Sequence, residues 1–295
     1  MMGMLPPVMC RDIYHHHFAS NVLVATPQTV ATLLLINQMK MKLNGKVTVV
    51  TGGNSGIGFG IAEAFKKEGA VGAISGRNQK TLDSSVKELG KDFIGISGDV
   101  TNLNDLEQLF KTTHDRFGKI DTLVVNAGGV VDGNPMAAIE DVTEENFDGY
   151  MDLNLKSSYF TVKKALPYLN DGASIILIAS SAAHLAIKGM TVYSAAKAAL
   201  ISLAKGLSAD LLARKIRVNA LSPGSIDTPV FDKIAPAEQV KQIKQLWVNK
   251  TASGRQGLPS DIGHAAVFLA SDDSAFIIGT EILVDGGLTN ILLMN

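Results

Sequence analysis

Residues 46–65 read Lys-Val-Thr-Val-Val-Thr-Gly-Gly-Asn-Ser-Gly-Ile-Gly-Phe-Gly-Ile-Ala-Glu-Ala-Phe. Lys46 to Thr51 is a β-branched run that predicts a strand. Gly52 to Gly58 is a turn, and Ile57, Ile61 and Phe65, four apart, predict a helix that Gly69 ends. Together they form a phosphate cradle. Glycines let the backbone approach closely, N–H groups point outward, and the helix N-terminus favours an anion. The spacing is G-x-x-x-G-x-G rather than the commoner G-x-G-x-x-G of dinucleotide sites. A glycine turn that only closes a βα corner shares much of this pattern. The strand before it and the helix after it favour the phosphate-binding reading.

Downstream the alternation continues. Val71 to Ser75 predicts a strand ending at Gly76-Arg77. In a doubly wound sheet that end lies beside the adenosine ribose, where a carboxylate binds a 2′-hydroxyl and an arginine accommodates a 2′-phosphate. No acid stands between Gly76 and Asp83, so Arg77 favours NADP(H) over NAD(H). The plainer reading is a surface arginine at a helix start. Phe93 to Ser97 predicts a third strand, followed by Gly98-Asp99-Val100 and a helix with Leu103, Leu106 and Phe110 on one face. Ile120 to Val125 predicts a fourth, closed by Asn126-Ala127-Gly128-Gly129. Small residues there suit close passage of a planar ligand, and would equally suit a plain turn. Thr143 caps a helix with Glu144 and Glu145 in its first turn. That helix carries Asn154 between Leu153 and Leu155, which by itself reads as a satisfied core polar group.

Ile175 to Ile178, bounded by the turn-forming Asp171-Gly172, predicts a strand buried on both faces. The loop and helix after it run from Ser180 to Lys197 and beyond, with Ala196, Leu200, Leu203, Leu207 and Leu211 at helical spacing. Tyr193 and Lys197, at i and i+4, share one face of that helix. A free phenol has a pKa of roughly 10, and bringing it to about 7 needs about 4 kcal/mol in favour of the phenolate. One ammonium at about 4 Å, with an effective dielectric of about 20, supplies an interaction of that size. The pair therefore suits a tuned phenol, although Tyr-x-x-x-Lys also arises on ordinary solvated helix faces. Ile216 to Leu221 predicts a strand entering Ser222-Pro223-Gly224. Ser225 to Gly257 is more polar, holds a helix over 237–248, and reads as a flap. Pro259-Ser260-Asp261 caps a helix to Ala270, and Glu281 to Val284 predicts a last strand. Strands alternating with helices predict parallel pairing with right-handed crossovers in an α/β domain.

The chain of 295 residues is long enough for one large α/β domain. Its 27 basic and 28 acidic residues nearly cancel, which argues against nucleic-acid or anionic-membrane surfaces built on bulk charge. One cysteine, Cys10, rules out an intramolecular disulfide and fits a reducing, cytoplasmic compartment. Residues 1–40 differ from the rest: they hold Met1, Met2, Met4, Met9 and Met39, Cys10 and His15-His16-His17. Their longest apolar run, Val30 to Ile36, falls short of the roughly 20 residues a spanning helix needs. No secretory pattern is evident. With no cysteine or carboxylate cluster nearby, the histidines read as a solvated tail, and no metal is implied. The expectation is a poorly ordered extension over 1–40, with one domain over 41–295; a targeting peptide is the alternative.

Thr51 to Gly58, Asp99, Asn126-Ala127-Gly128, Asn154, Ser180, Tyr193-Ser-Ala-Ala-Lys197 and Pro223-Gly224 occur in the order and spacing of the short-chain dehydrogenase/reductase family. The resemblance covers residues 41–290, and within the family the chain is similar to members called glucose dehydrogenases or 3-oxoacyl-carrier-protein reductases. It implies a Rossmann-type, doubly wound parallel sheet of about seven strands with helices on both faces. It also implies hydride transfer between a nicotinamide and an alcohol or carbonyl. By the same match Tyr193 is the general acid/base, Lys197 lowers its pKa and holds the nicotinamide ribose, Ser180 binds the substrate oxygen, and Asn154 supports a proton-relay water. The family places its serine thirteen positions before the tyrosine, which is Ser180; Ser181 fits if the loop shifts by one. Gly52, Asn54, Ser55, Gly56, Ile57 and Gly58 would line the pyrophosphate, and Asp99 and Val100 the adenine. Asn126, Ala127 and Gly128 would approach the adenosine side, and Pro223, Gly224, Ile226 and Thr228 the nicotinamide end. A homotetramer, or a homodimer, is implied, with the long helices and the last strand as contacts.

Two positions depart from the family pattern. Val125 stands where many members have a second asparagine, and His184 where glycine is frequent. His184 reads either as a substrate contact that titrates near neutral pH or as a solvent-facing loop residue. Val130, Val131, Leu185, Ile187, Val230, Phe231, Ile234 and Trp247 predict a largely apolar pocket for a small carbonyl or alcohol substrate. A different class, a dinucleotide-binding sensor without catalysis, would be expected to lack Tyr193 or Lys197.

Overall fold

Val47–Val50 form β1 with all four side chains buried, the first strand of a sheet seen in a computed structural model that describes residues 41–231 and 236–293. The expected N-terminal extension and Ile234 lie outside the described residues. The other strands are β2 (Val71–Gly76), β3 (Phe93–Ser97), β4 (Ile120–Val125), β5 (Leu169–Ile178), β6 (Arg217–Pro223) and β7 (Glu281–Val284). All pair in parallel, in the order β3-β2-β1-β4-β5-β6-β7. The chain winds outward from β1 to β3 and then returns to place β4 on the other side of β1. The crevice above β1 and β4 is thus the topological switch point, where ligands of such sheets bind.

Helices cover both faces: α1 (Gly56–Lys67), α2 (Gln79–Leu89), α3 (Leu103–Phe117), α4 (Glu144–Met151), α5 (Ser157–Ala165), α6 (Thr191–Asp210), α7 (Ala237–Lys250) and α8 (Pro259–Ala270). Strand residues feed the two layers alternately, as the pleat requires. Leu123, Val125, Ile175 and Leu177 pack with Phe110 and Leu200 on one side. Val124, Ile176 and Ile178 pack with Phe65, Leu82 and Leu269 on the other. Both faces being covered explains why the central strands read as continuous apolar runs rather than alternating ones.

One local expectation is corrected. Asp171-Gly172 does not bound β5 but lies inside it. Ile120 pairs with Leu169 and Thr122 with Ser174, so the intervening residues of β5 bulge outward. Gly172, at φ +79, takes the left-handed turn that the bulge needs. The helix capped by Thr143 does carry Asn154, as expected. A π-helical turn, Asp152–Lys156, joins α4 to α5, so Asn154 sits in the bulge of an otherwise continuous helix.

The cradle helix α1 is held from behind by α8 at very short range. A Cβ built on Gly60 would lie 2.4 Å from the Pro259 Cβ, and one on Gly263 would lie 2.7 Å from the Gly60 carbonyl oxygen. Gly60→Ala should therefore force α1 and α8 apart and destabilise the fold by about 1–3 kcal/mol, the usual range for overpacking. The check is the midpoint and slope of a urea unfolding curve; a midpoint equal to wild type would show that the helices give way freely.

Candidate active site

The cleft above the switch point has a volume of about 990 Å³ and is floored by the C-terminal ends of the first six strands. That volume is at the upper end for small-molecule sites. The end at the glycine turn is built by one side chain acting on several backbones. Asn126, just past β4, donates from Nδ2 to the carbonyls of Thr51 (3.0 Å) and Gly52 (3.1 Å). The Thr51 hydroxyl in turn accepts from the backbone N–H groups of Asn126 and Ala127 and donates to the carbonyl of Val124. The glycine turn is thereby latched to β4. A Cβ on Gly58 would fall 2.2 Å from the Gly52 oxygen, so only glycine lets α1 begin this close to the turn.

The start of α1 is suited to an anion. Ser55 makes no side-chain cap there, whereas Asn78, Asn102 and Thr143 cap α2, α3 and α4 with side-chain oxygens. The N–H groups of α1 are left to point into the cleft with the positive end of the helix dipole. The Thr228 methyl lies opposite Gly56, so the loop after β6 closes over the cradle. This fits a pyrophosphate.

Arg77 reaches the same cleft and pairs with Asp132 at 2.8 Å. Asn54 explains why the position before it carries no acid. Its Nδ2 donates to Thr81 Oγ1 at 2.7 Å, and its Oδ1 would lie 2.4 Å from a Cβ on Gly76. Asn54 therefore occupies the space a carboxylate at 76 would need. Asp99 lines the cleft with one carboxylate oxygen accepting from the N–H and hydroxyl of Thr101.

The chemistry-bearing end is set by β5 and α6. Ser180 follows β5, its hydroxyl accepts from Ala182 N–H, and it lines the cleft together with Tyr193. Ser181 opens the next 3-10 turn and is buried, so Ser180 is the serine beside the tyrosine. Lys197 is buried one turn along, its Nζ 5.8 Å from the Tyr193 ring centre and donating to the Ile178 carbonyl at 2.9 Å. Burial pulls this ammonium down to about 8. Burial likewise pushes the Tyr193 phenol up; the Ser180 hydrogen bond opposes this, and Tyr150 adds to it. Desolvation of the phenolate is the largest cause of this shift, and the Lys197 ammonium is turned toward the Ile178 carbonyl. At neutral pH the phenol holds its proton.

Asn154 alone among the candidate residues does not line the cleft. It is fully buried; Oδ1 accepts from Gly129 N–H (2.7 Å), and Nδ2 donates to the carbonyls of Gly129 and Tyr150. Its side chain braces the loop after β4 and matches the core-polar reading. Every other candidate residue comes to the cleft: Gly52, Asn54, Ser55, Gly56, Ile57, Gly58, Arg77, Asp99, Val100, Asn126, Ala127, Gly128, Ser180, Tyr193, Lys197, Pro223, Gly224, Ile226 and Thr228. His184 does not. Its Nε2 lies 2.8 Å from Glu281, so it is neither a cleft residue nor a purely solvated one. Of the expected apolar pocket, Val130, Leu185, Ile187, Val230, Phe231 and Trp247 line the cleft and Val131 does not. Met136, Leu153, Met190 and Leu288 join them; Met136, Met190 and Leu288 sit in loops or turns without periodicity, and Leu153 in the π-helical turn, where the helical spacing is broken.

Comparison with known proteins agrees with this geometry. The sequence model of a family described as Enoyl-(Acyl carrier protein) reductase matches residues 26–289. The chain is 38% identical over 252 residues to the oxidoreductase asL5 of Sarocladium schorii, covering 85% of this chain and 98% of that protein. It is 34% identical over 258 residues to an NADP-dependent (R)-specific alcohol dehydrogenase of Lentilactobacillus kefiri, covering 85% and 99%. Among solved structures, a short-chain dehydrogenase/reductase, glucose/ribitol dehydrogenase, from Brucella melitensis superposes with a TM-score of 0.78 at 31% identity, covering 85% and 99%.

The lowered Lys197 has a measurable consequence for stability. Between about pH 8 and the ordinary lysine value of 10.5 the native state sheds this proton while the unfolded chain keeps it, so this group makes the fold more stable as pH rises. From pH 7.5 to 9.5 the wild-type protein should gain about 2 kcal/mol relative to Lys197→Met. Urea unfolding of both proteins at the two pH values checks this; a constant difference would show an unshifted lysine.

Proposed function

The chain belongs to the short-chain dehydrogenase/reductase family of oxidoreductases, and from that premise we propose that it is an NADP(H)-dependent enzyme moving a hydride between nicotinamide and a carbonyl or secondary alcohol. The observation that carries this reading is the sharing of one cleft by the Gly52–Gly58 cradle and the Ser180–Tyr193–Lys197 set. A bound NADP(H) would supply or accept the hydride. The α1 N-terminus and the glycine turn would hold its pyrophosphate, Arg77 its 2′-phosphate, and Lys197 its nicotinamide ribose. The relative from Lentilactobacillus kefiri, named as NADP-dependent, supports the same choice of cofactor.

In this reading Ser180 donates a hydrogen bond to the substrate oxygen and Tyr193 gives it a proton, or takes one in the reverse direction. Burial keeps the phenol protonated, which is the donor form needed for carbonyl reduction. Lys197 stabilises the phenolate left behind. Asn154 acts at one remove, holding Gly129 and the Tyr150 carbonyl in place. The apolar wall of Leu185, Ile187, Val230 and Trp247 suits an uncharged carbonyl compound. The single cysteine supports a reducing compartment such as the cytoplasm. A homotetramer is supported by exposed Phe147 and Tyr159 on α4 and α5 and by exposed Phe276 before β7.

Oxidation of NADPH, and separately of NADH, across ketones, quinones and 3-oxoacyl thioesters tests the reading. Turnover should favour NADPH. Tyr193→Phe should lose about 10²–10⁴-fold in kcat while NADPH still binds. Binding without turnover on the whole panel would point instead to a dinucleotide sensor. The assembly is read separately by light scattering, where a tetramer mass is expected.

A further inference from the structure

The Arg77–Asp132 ion pair bridges the loops that follow β2 and β4. Arg77 follows β2, and Asp132 lies in the loop after β4. Their side chains join at 2.8 Å across the adenosine end of the cleft, and both line it. Each is about half exposed, so neither is buried as a structural ion pair would be. The other charged groups lining the cleft are engaged elsewhere: Asp99 with Thr101, and Lys197 at the tyrosine end.

A carboxylate on this guanidinium acts against a 2′-phosphate in two ways. It holds the fork of donors that would grip the phosphate, so the pair must open or share. It also sets a negative charge within a few ångströms of an incoming dianion. A ribose 2′-hydroxyl meets neither obstacle, since it can donate to a carboxylate oxygen. Resting on the reading of Arg77 above, we propose that Asp132 is a specificity-determining residue that weakens NADP(H) binding and lets NAD(H) compete, so that the protein accepts both dinucleotides.

Asp132→Asn removes the charge and keeps the shape at a half-exposed position, and melting temperature checks that the fold is retained. Dissociation constants for NADPH and NADH come from quenching of Trp247, the single tryptophan, which lines the cleft. Asp132→Asn should bind NADPH about three- to tenfold tighter and NADH within about twofold of wild type, a gain that shrinks at high salt. Arg77→Ala should weaken NADPH alone. If Arg77→Ala loses NADPH but Asp132→Asn gains nothing, the role of Asp132 is overturned and the NADP reading stands. If Arg77→Ala binds NADPH as well as wild type does, the 2′-phosphate site itself is misplaced and both fall.

Discussion

The bond from the Asn126 amide to the carbonyls of Thr51 and Gly52 is the constraint on which the rest of the site depends. Those carbonyls lie in the turn just after β1, beyond its ladder with β4, so Asn126 supplies the donor that the strand pairing does not. With it, the turn is drawn down onto β4 until Gly58 and the Gly52 oxygen nearly touch. The direction of α1, and so of its dipole, follows from that contact. The close glycine packing of α1 on α8 then fixes the helix from the other side. An anion site made of backbone N–H groups needs this rigidity, because a peptide dipole that can turn away contributes little.

At the other end of the cleft the governing effect is desolvation rather than charge pairing. Lys197 is buried and Tyr193 partly so, and desolvation pushes both toward their neutral forms. The Ile178 carbonyl gives the ammonium one good acceptor, which steadies its position without neutralising it. The result is a protonated phenol over a weakly held cation. In the proposed reaction this arrangement would let the phenol release its proton with the ammonium already held 5.8 Å from its ring centre.

Most of the fold was legible because its signals are local. The seven strands show as short apolar runs, and Phe93–Ser97, Ile120–Val125 and Glu281–Val284 coincide with the expected spans. Asp171-Gly172 misled because a glycine at positive φ marks a bulge as well as a turn, and only the register with β4 separates the two. In the site, Tyr193 and Lys197 were visible from helical spacing, and the cradle from its glycines. The partners were not. Asp132 meets Arg77 only because the sheet sets β2 and β4 on either side of β1, and His184 meets Glu281 only through the stacking of distant strands. The sign of the Tyr193 shift was illegible for the same reason: burial belongs to the tertiary structure, whereas the i, i+4 spacing shows only the nearby charge.

The two ends of the cleft are therefore made of different material. The phosphate end is backbone, and its geometry is enforced by glycine contacts so short that almost any side chain would break them. The substrate end is a wall of side chains from the loops after β4, β5 and β6, braced at a distance by Asn154 under Gly129 and by the Ser225–Gly257 backbone bonds at the base of the flap. Replacing Leu185 or Trp247 changes the shape of that wall without disturbing a hydrogen bond of the cradle. Under the proposed function, a fold divided in this way would keep one cofactor chemistry while its substrate changed, because the side chains of the apolar wall are not those that hold the cradle together.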